Sequence, residues 1–105
     1  MIPEISPADA HELIDADICF VDIRDTMSFA DARIKGARAL SMQTMDVFLQ
    51  DVPRQKRLIV YCYHGHSSLD ATGFLQDQGF EQVESLKGGF EYWRQAFPEA
   101  VESGQ

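Results

Sequence analysis

The sequence predicts a single α/β domain, a parallel sheet with helices on both faces. Three observations predict it. The chain has 105 residues, enough to bury one core but not two. Two short runs, Ile18-Cys19-Phe20-Val21-Asp22-Ile23 and Arg57-Leu58-Ile59-Val60-Tyr61, are almost continuously apolar, the pattern of strands buried on both faces. Segments of helical spacing separate the runs, and strands joined through helices lie parallel. Ligands bind such sheets beyond the carboxyl ends of the strands. That rule selects Arg24-Asp25, the stretch from Cys62 to Ser68, and Lys87-Gly88-Gly89.

Each element has a local cause. Glu4-Ile5-Ser6 is a short extended start. Ser6 can cap a helix with Pro7 at its first position and Ala8, Ala10, Leu13 and Ile14 inside. After the strand at Ile18 to Ile23, Arg24-Asp25-Thr26 turns into a short helix through Met27 and Phe29. Lys35-Gly36-Ala37 leads to a brief extended Arg38-Ala39-Leu40, and Ser41 can cap a helix with Met45, Phe48 and Leu49 on one side. The strand from Arg57 to Tyr61 is the clearest. A helix with Leu69, Thr72, Gly73, Leu75 and Gln76 follows and stops near Gly79. Gln82-Val83-Glu84-Ser85-Leu86 is the last strand. Gly88-Gly89 starts a helix that ends around Pro98, with Phe90, Trp93 and Phe97 on its core face. No repeat, low-complexity tract or linker interrupts residues 1–105, so they form one domain. The small polar tail, residues 102–105, is expected to fray.

Composition excludes several functions. Seventeen acidic against nine basic residues give a net charge of −8. Duplex nucleic acid binding needs clustered Lys and Arg, and an anionic membrane surface would repel this chain. Neither partner is expected. No apolar run approaches the roughly 18 residues of a membrane span, and no signal peptide is evident at the start. The two cysteines, Cys19 and Cys62, are fewer than a disulfide scaffold uses. Both are read as thiols in a reducing cytoplasm.

Cys62 leaves a buried strand a few residues before a helix. The first-turn amides of that helix lack intrahelical partners, and its dipole adds partial positive charge. Both favour an anion, whether a thiolate or a bound oxyanion. Gly65 lets the backbone turn tightly, and Ser67 and Ser68 can cap the helix or donate hydroxyls into the loop. The result is a cradle of amides around one sulfur, suited to nucleophilic catalysis. A packed cysteine beside an ordinary turn fits the same residues, although the polar Tyr63, His64, Gly65 and His66 favour a site. Cys62, His64 and His66 match no zinc spacing and show no fourth ligand, so no metal is expected. The histidines are expected to line the entrance and tune substrate access.

At this point the chain resembles the rhodanese family, and within it the small single-domain thiosulfate sulfurtransferases of bacteria. Three stretches carry the likeness, in the family's order. They are Val21-Asp22-Ile23-Arg24-Asp25 with Ser28-Phe29 and Gly36-Ala37, then Val60-Tyr61-Cys62-Tyr63-His64-Gly65-His66-Ser67-Ser68, then Leu86-Lys87-Gly88-Gly89-Phe90-Glu91-Tyr92-Trp93. The resemblance implies five mostly parallel strands flanked by helices, and a six-residue active loop from Cys62 to Ser67. It makes Cys62 the nucleophile that takes a sulfane sulfur from thiosulfate or a persulfide donor. Cyanide, a small thiol or a sulfur-acceptor protein then receives the sulfur, in ping-pong order and with no cofactor.

Departures from the family pattern qualify this. Many rhodaneses carry Arg five positions after the cysteine, where this chain has Ser67. Oxyanion binding then rests on amides, hydroxyls and more distant cations. The family often has His where Arg33 stands, Pro where Lys35 stands, and an acidic residue where Lys87 stands. Lys87 is therefore a candidate to reach a donor's anionic group, with a solvated turn lysine as the plainer alternative. Asp22 and Arg24 are read as an ion pair or hydrogen-bond bracket supporting the loop, with an electrostatic role at the site as the alternative. Two other functions compete. A sulfur-carrier or binding module would relay persulfide sulfur between proteins without turning over thiosulfate. A phosphatase or arsenate reductase on a similar fold would need Arg six positions after the cysteine, where this chain has Ser68. Without that cation the loop cannot stabilise a phosphoryl transition state.

Overall fold

The apolar runs pair as a parallel sheet. In the computed structural model, which describes residues 2–104, the strands are β1 (Glu4–Ile5), β2 (Ile18–Asp22), β3 (Arg33–Ile34), β4 (Arg38–Ala39), β5 (Arg57–Tyr61), β6 (Val83–Leu86) and β7 (Val101–Glu102). The helices are α1 (Pro7–Glu12), α2 (Thr26–Asp31), α3 (Met45–Asp51), α4 (Ser67–Asp77) and α5 (Gly89–Ala96). Five strands form one all-parallel sheet in the order β1-β6-β5-β2-β4.

Alternation along the central strands divides the core in two, because successive side chains leave a strand on opposite faces. Phe20, Ile59, Tyr61 and Leu86 pack with Phe90 and Trp93 of α5 and Ala10 of α1. Val21, Leu58, Val60 and Val83 pack with Phe48 of α3 and Leu75 of α4. Trp93 is fully buried, and its indole N–H donates to the Ala100 carbonyl at 3.2 Å. Phe97 sits at the edge of this layer, with its ring centroid 5.1 Å from that of Trp93.

Register sets the site. Asp22 lies opposite Tyr61, and Val60 opposite Ser85. The ends of β2, β5 and β6 therefore meet at one edge of the sheet, where Cys62 begins its loop.

Four local expectations need correction. Ser41 does not cap α3; Thr44 takes the N-cap position, and its hydroxyl accepts from the Ser41 amide at 2.9 Å. Ser67 and Ser68 do not cap α4 either. His66 precedes that helix, with no side-chain cap. The tail is not loose over residues 102–104. Glu102 pairs with Arg33 in a small antiparallel sheet of β3 and β7, and the Arg33 guanidinium donates to the Gly104 carbonyl at 2.8 Å. These contacts order backbone that composition alone would leave free. Gln105 lies outside the described residues. Among the described residues no helix is long and apolar enough to cross a membrane.

Candidate active site

The site is built from the turn after β5. Its first residue, Cys62, is 7 % exposed at a cleft of about 440 Å³ lined also by Ile23, Arg24, Asp25, Tyr63, His64, His66 and Ser67. The loop wraps the sulfur. The Gly65 amide donates to Cys62 Sγ at 3.1 Å and the Ser68 amide at 3.4 Å. Ser68 Oγ lies 3.5 Å from the same sulfur. Gly65 has φ +93°, and a Cβ there would stand 3.1 Å from the Gly88 amide nitrogen and 3.3 Å from the Leu86 carbonyl. The loop thus needs glycine at its bend both for conformation and for its close approach to the β6–α5 turn.

That turn holds the loop from behind. The Phe90 amide donates to the Cys62 carbonyl at 2.8 Å and the Glu91 amide to the Tyr63 carbonyl at 3.0 Å. Both donors belong to the first turn of α5, whose amides lack intrahelical partners. With those carbonyls held by α5, the later amides of the loop face the sulfur.

The thiol responds to this environment. Burial pushes its pKa up. The Ser68 hydroxyl and the amides of Ser68, Gly65 and His64 outweigh that effect, and the net shift is downward. Cys19 behaves oppositely. Burial raises its pKa, and Arg38 and Lys56 only partly offset the rise. Thiolates, not thiols, react with alkylating agents. Iodoacetamide labelling over a pH series, resolved by peptide mass spectrometry, should therefore have its midpoint at lower pH for Cys62 than for Cys19. The reverse order would contradict the amide cradle.

Asp22 and Arg24 form the support beneath. Arg24 Nη2 lies 2.7 Å from Asp22 Oδ2, with the two side chains 3 % and 0 % exposed. Arg24 Nε donates to both carboxylate oxygens at 3.1 Å, and Nη2 also donates to the Ala32 carbonyl at 2.5 Å. The guanidinium stacks 4.2 Å from the Phe90 ring centroid and 5.2 Å from that of Tyr63. Burial, Asp22's charge and a hydrogen bond to that carboxylate hold the Tyr61 phenol protonated far above its ordinary range. Its oxygen accepts from the Ile34 amide at 3.1 Å. Asp22, Arg24 and Tyr61 therefore tie β2, β3 and α2 to the loop. The Tyr63 hydroxyl hydrogen-bonds Ser28, whose amide is capped by Asp25 at 2.8 Å.

The structure brings Cys62, Tyr63, His64, His66 and Ser67 together at the cleft, with Gly65 and Ser68 behind the sulfur. It does not bring Lys87 there. Lys87 is exposed and absent from the cleft lining. Among the described residues no three His, Cys, Asp or Glu side chains gather as metal ligands would. Sequence reasoning missed Tyr61 and Ser85 as parts of the site. Ser85 Oγ is 2.7 Å from Ser68 Oγ; its signal was a serine two residues after the buried Val83, on the same face of the strand.

Comparison with known proteins identifies the family and the fold. Residues 6–96 match the rhodanese-like domain family. A relative called thiosulfate sulfurtransferase GlpE from Stutzerimonas stutzeri is 46% identical over 98 residues, covering 93% of this chain and 90% of that protein. One of the same name from Ectopseudomonas mendocina is 45% identical over 100 residues, covering 95% and 92%. Among solved structures, the rhodanese-like domain of an Anabaena sp. protein superposes with a TM-score of 0.85 at 24% identity. That match covers 98% of this chain and 80% of the other, a likeness of fold.

Proposed function

This chain belongs to the rhodanese-like family, and on that premise we propose that it is a thiosulfate sulfurtransferase working through a persulfide on Cys62. The observation that carries the reading is the thiol at the cleft floor, with the Gly65 and Ser68 amides on its sulfur. In the first step the Cys62 thiolate attacks the sulfane sulfur of thiosulfate. A new S–S bond forms, the old one breaks, and sulfite leaves with the electron pair. In the second step cyanide or a thiolate attacks the outer sulfur of the persulfide, and Cys62 Sγ leaves as thiolate. No proton need move and no cofactor is required, and ping-pong kinetics follow.

Oriented amides serve the anionic sulfur as an oxyanion hole serves oxygen. They also supply local positive potential in a protein of net charge −8. Arg24 contributes little here, because its guanidinium is committed to Asp22. Among the described residues that line the cleft, Arg24 is the one Lys or Arg, and its pairing with Asp22 leaves no free guanidinium or ammonium for phosphoryl transfer. We place the protein in a reducing compartment, the cytoplasm, where both free cysteines remain thiols.

The test is direct. Incubation with thiosulfate should add the mass of one sulfur to the peptide containing Cys62 and release sulfite in equal amount. A protein that gains no sulfur from thiosulfate, yet gains it from a persulfidated donor protein, would be a relay module. One that gains it from neither is no sulfurtransferase.

A further inference from the structure

Ser85 has no part in the mechanism above, yet it is joined to the nucleophile by one intervening hydroxyl. Ser68 and Ser85 are both fully buried. Their hydroxyls are 2.7 Å apart, and Ser68 Oγ is 3.5 Å from Cys62 Sγ. Rigid backbone fixes both ends. The Ser68 carbonyl accepts from the Thr72 hydroxyl at 2.7 Å. The Ser85 amide donates to the Pro3 carbonyl at 2.9 Å, and Ser85 lies in register with Val60 at the sheet centre.

We propose that Ser85 is a positioning residue for the sulfur-transfer step, donating to Ser68 Oγ so that the Ser68 hydroxyl donates to Cys62 Sγ as that sulfur becomes the leaving thiolate. A hydroxyl has one proton to donate. When Sγ is an anion, Ser68 must direct that proton at sulfur, and its oxygen is then free to accept from Ser85. Each bond polarises the next, so the second strengthens the first. In the persulfide anion the charge sits mainly on the outer sulfur, away from this chain of hydroxyls. As the acceptor forms its bond to the outer sulfur and the S–S bond breaks, the electron pair moves onto Sγ. The two hydroxyls meet the charge there.

Other polar groups near the thiol are committed or outside. Arg24 is paired with Asp22, Asp25 caps α2, and the Tyr63 hydroxyl bonds Ser28. On α5, Glu91 pairs with Arg94. His64 and His66 in the loop, Asp70 on α4, and Lys87 are exposed.

The two half-reactions should respond differently. A better-stabilised thiolate leaves faster but attacks less strongly. Ser85→Ala should therefore lower kcat/KM for cyanide by about twofold. At a pH above the thiol's titration, kcat/KM for thiosulfate should be unchanged or slightly higher. This kinetic part rests on the sulfurtransferase reading. The alkylation midpoint of Cys62 does not, because it is measured without a sulfur donor. That midpoint should rise by about half a unit in Ser85→Ala and by more in Ser68→Ala. The double variant should match Ser68→Ala, since Ser85 acts through Ser68. Ser85→Thr, which keeps the hydroxyl, should retain the wild-type midpoint. An unchanged midpoint in Ser85→Ala, a full additional shift in the double variant, or loss of the midpoint in Ser85→Thr would overturn the proposal. So would equal losses in both half-reactions.

Discussion

Cys62→Ser is expected to abolish both sulfur uptake from thiosulfate and sulfite release, a loss of roughly four to six orders of magnitude in turnover. Serine would keep the donors around the position, the Gly65 and Ser68 amides and the Ser68 hydroxyl. What it lacks is an ionisable nucleophile, because an alcohol stays protonated where the lowered thiol of Cys62 gives thiolate. The cradle stabilises an anion but supplies no general base, so nothing in it would activate serine. Cys19→Ser is the matching control. Cys19 sits near the start of β2, about 10 Å along the strand from Asp22; it packs against the core layer of Val21 and Phe48, and its thiol lies 3.6 Å from the Phe20 carbonyl. Both half-reactions should survive that change almost intact. Mass spectrometry of the intact protein after thiosulfate, together with sulfite determination, reads both variants. Turnover surviving in Cys62→Ser would remove the nucleophile from the mechanism.

The central sheet was legible because its strands are apolar on both faces. Helices cover each side, so β2 and β5 read as unbroken hydrophobic runs. The amides around Cys62 were legible because a strand-to-helix turn fixes where first-turn amides point, whereas its part as nucleophile came from the family resemblance and is our proposal. The small β3–β7 sheet was not. Each of its strands has two residues, too few to show a period, and the Arg33–Glu102 ion pair at 3.1 Å joins residues far apart in the chain. Serine capping was misread for a different reason. Local preference assigns Ser68 to a helix end, but its burial against β6 commits the hydroxyl to Ser85 and the sulfur. Lys87 follows β6 at the correct end of the sheet, yet chain position did not settle which way its side chain would turn. Tertiary register decided these cases, and no single segment contains it.

Gly89→Ala is expected to disable the site more thoroughly than any other single-atom-scale change at a glycine. Gly89 has φ +59°, and a Cβ there would stand 2.7 Å from the Cys62 carbonyl oxygen and closer still to the Tyr63 carbonyl. Ordinary contact begins at 3.4 Å, so the shortfall against Cys62 alone is 3.4 − 2.7 = 0.7 Å. Every obstructing atom is backbone of the active loop, and none can rotate away. The loop must retreat, and the Phe90 and Glu91 amides would lose the two carbonyls they hold. Once those carbonyls are released, the amides on the sulfur lose their aim. A misplacement near 1 Å costs about a hundredfold in rate, and the left-handed conformation adds about 1–2 kcal/mol of instability for alanine. Gly36→Ala separates the two effects. Gly36 has φ +79° but nothing within 4 Å of its would-be Cβ, so it should show the conformational cost in urea denaturation while keeping wild-type turnover and the wild-type alkylation midpoint of Cys62. Gly89→Ala should lose stability and turnover, and its Cys62 midpoint should rise toward the free thiol's value of about 8.5. If the midpoint stayed low while turnover fell, the β6–α5 turn would be acting on the substrate and not on the aim of the amides.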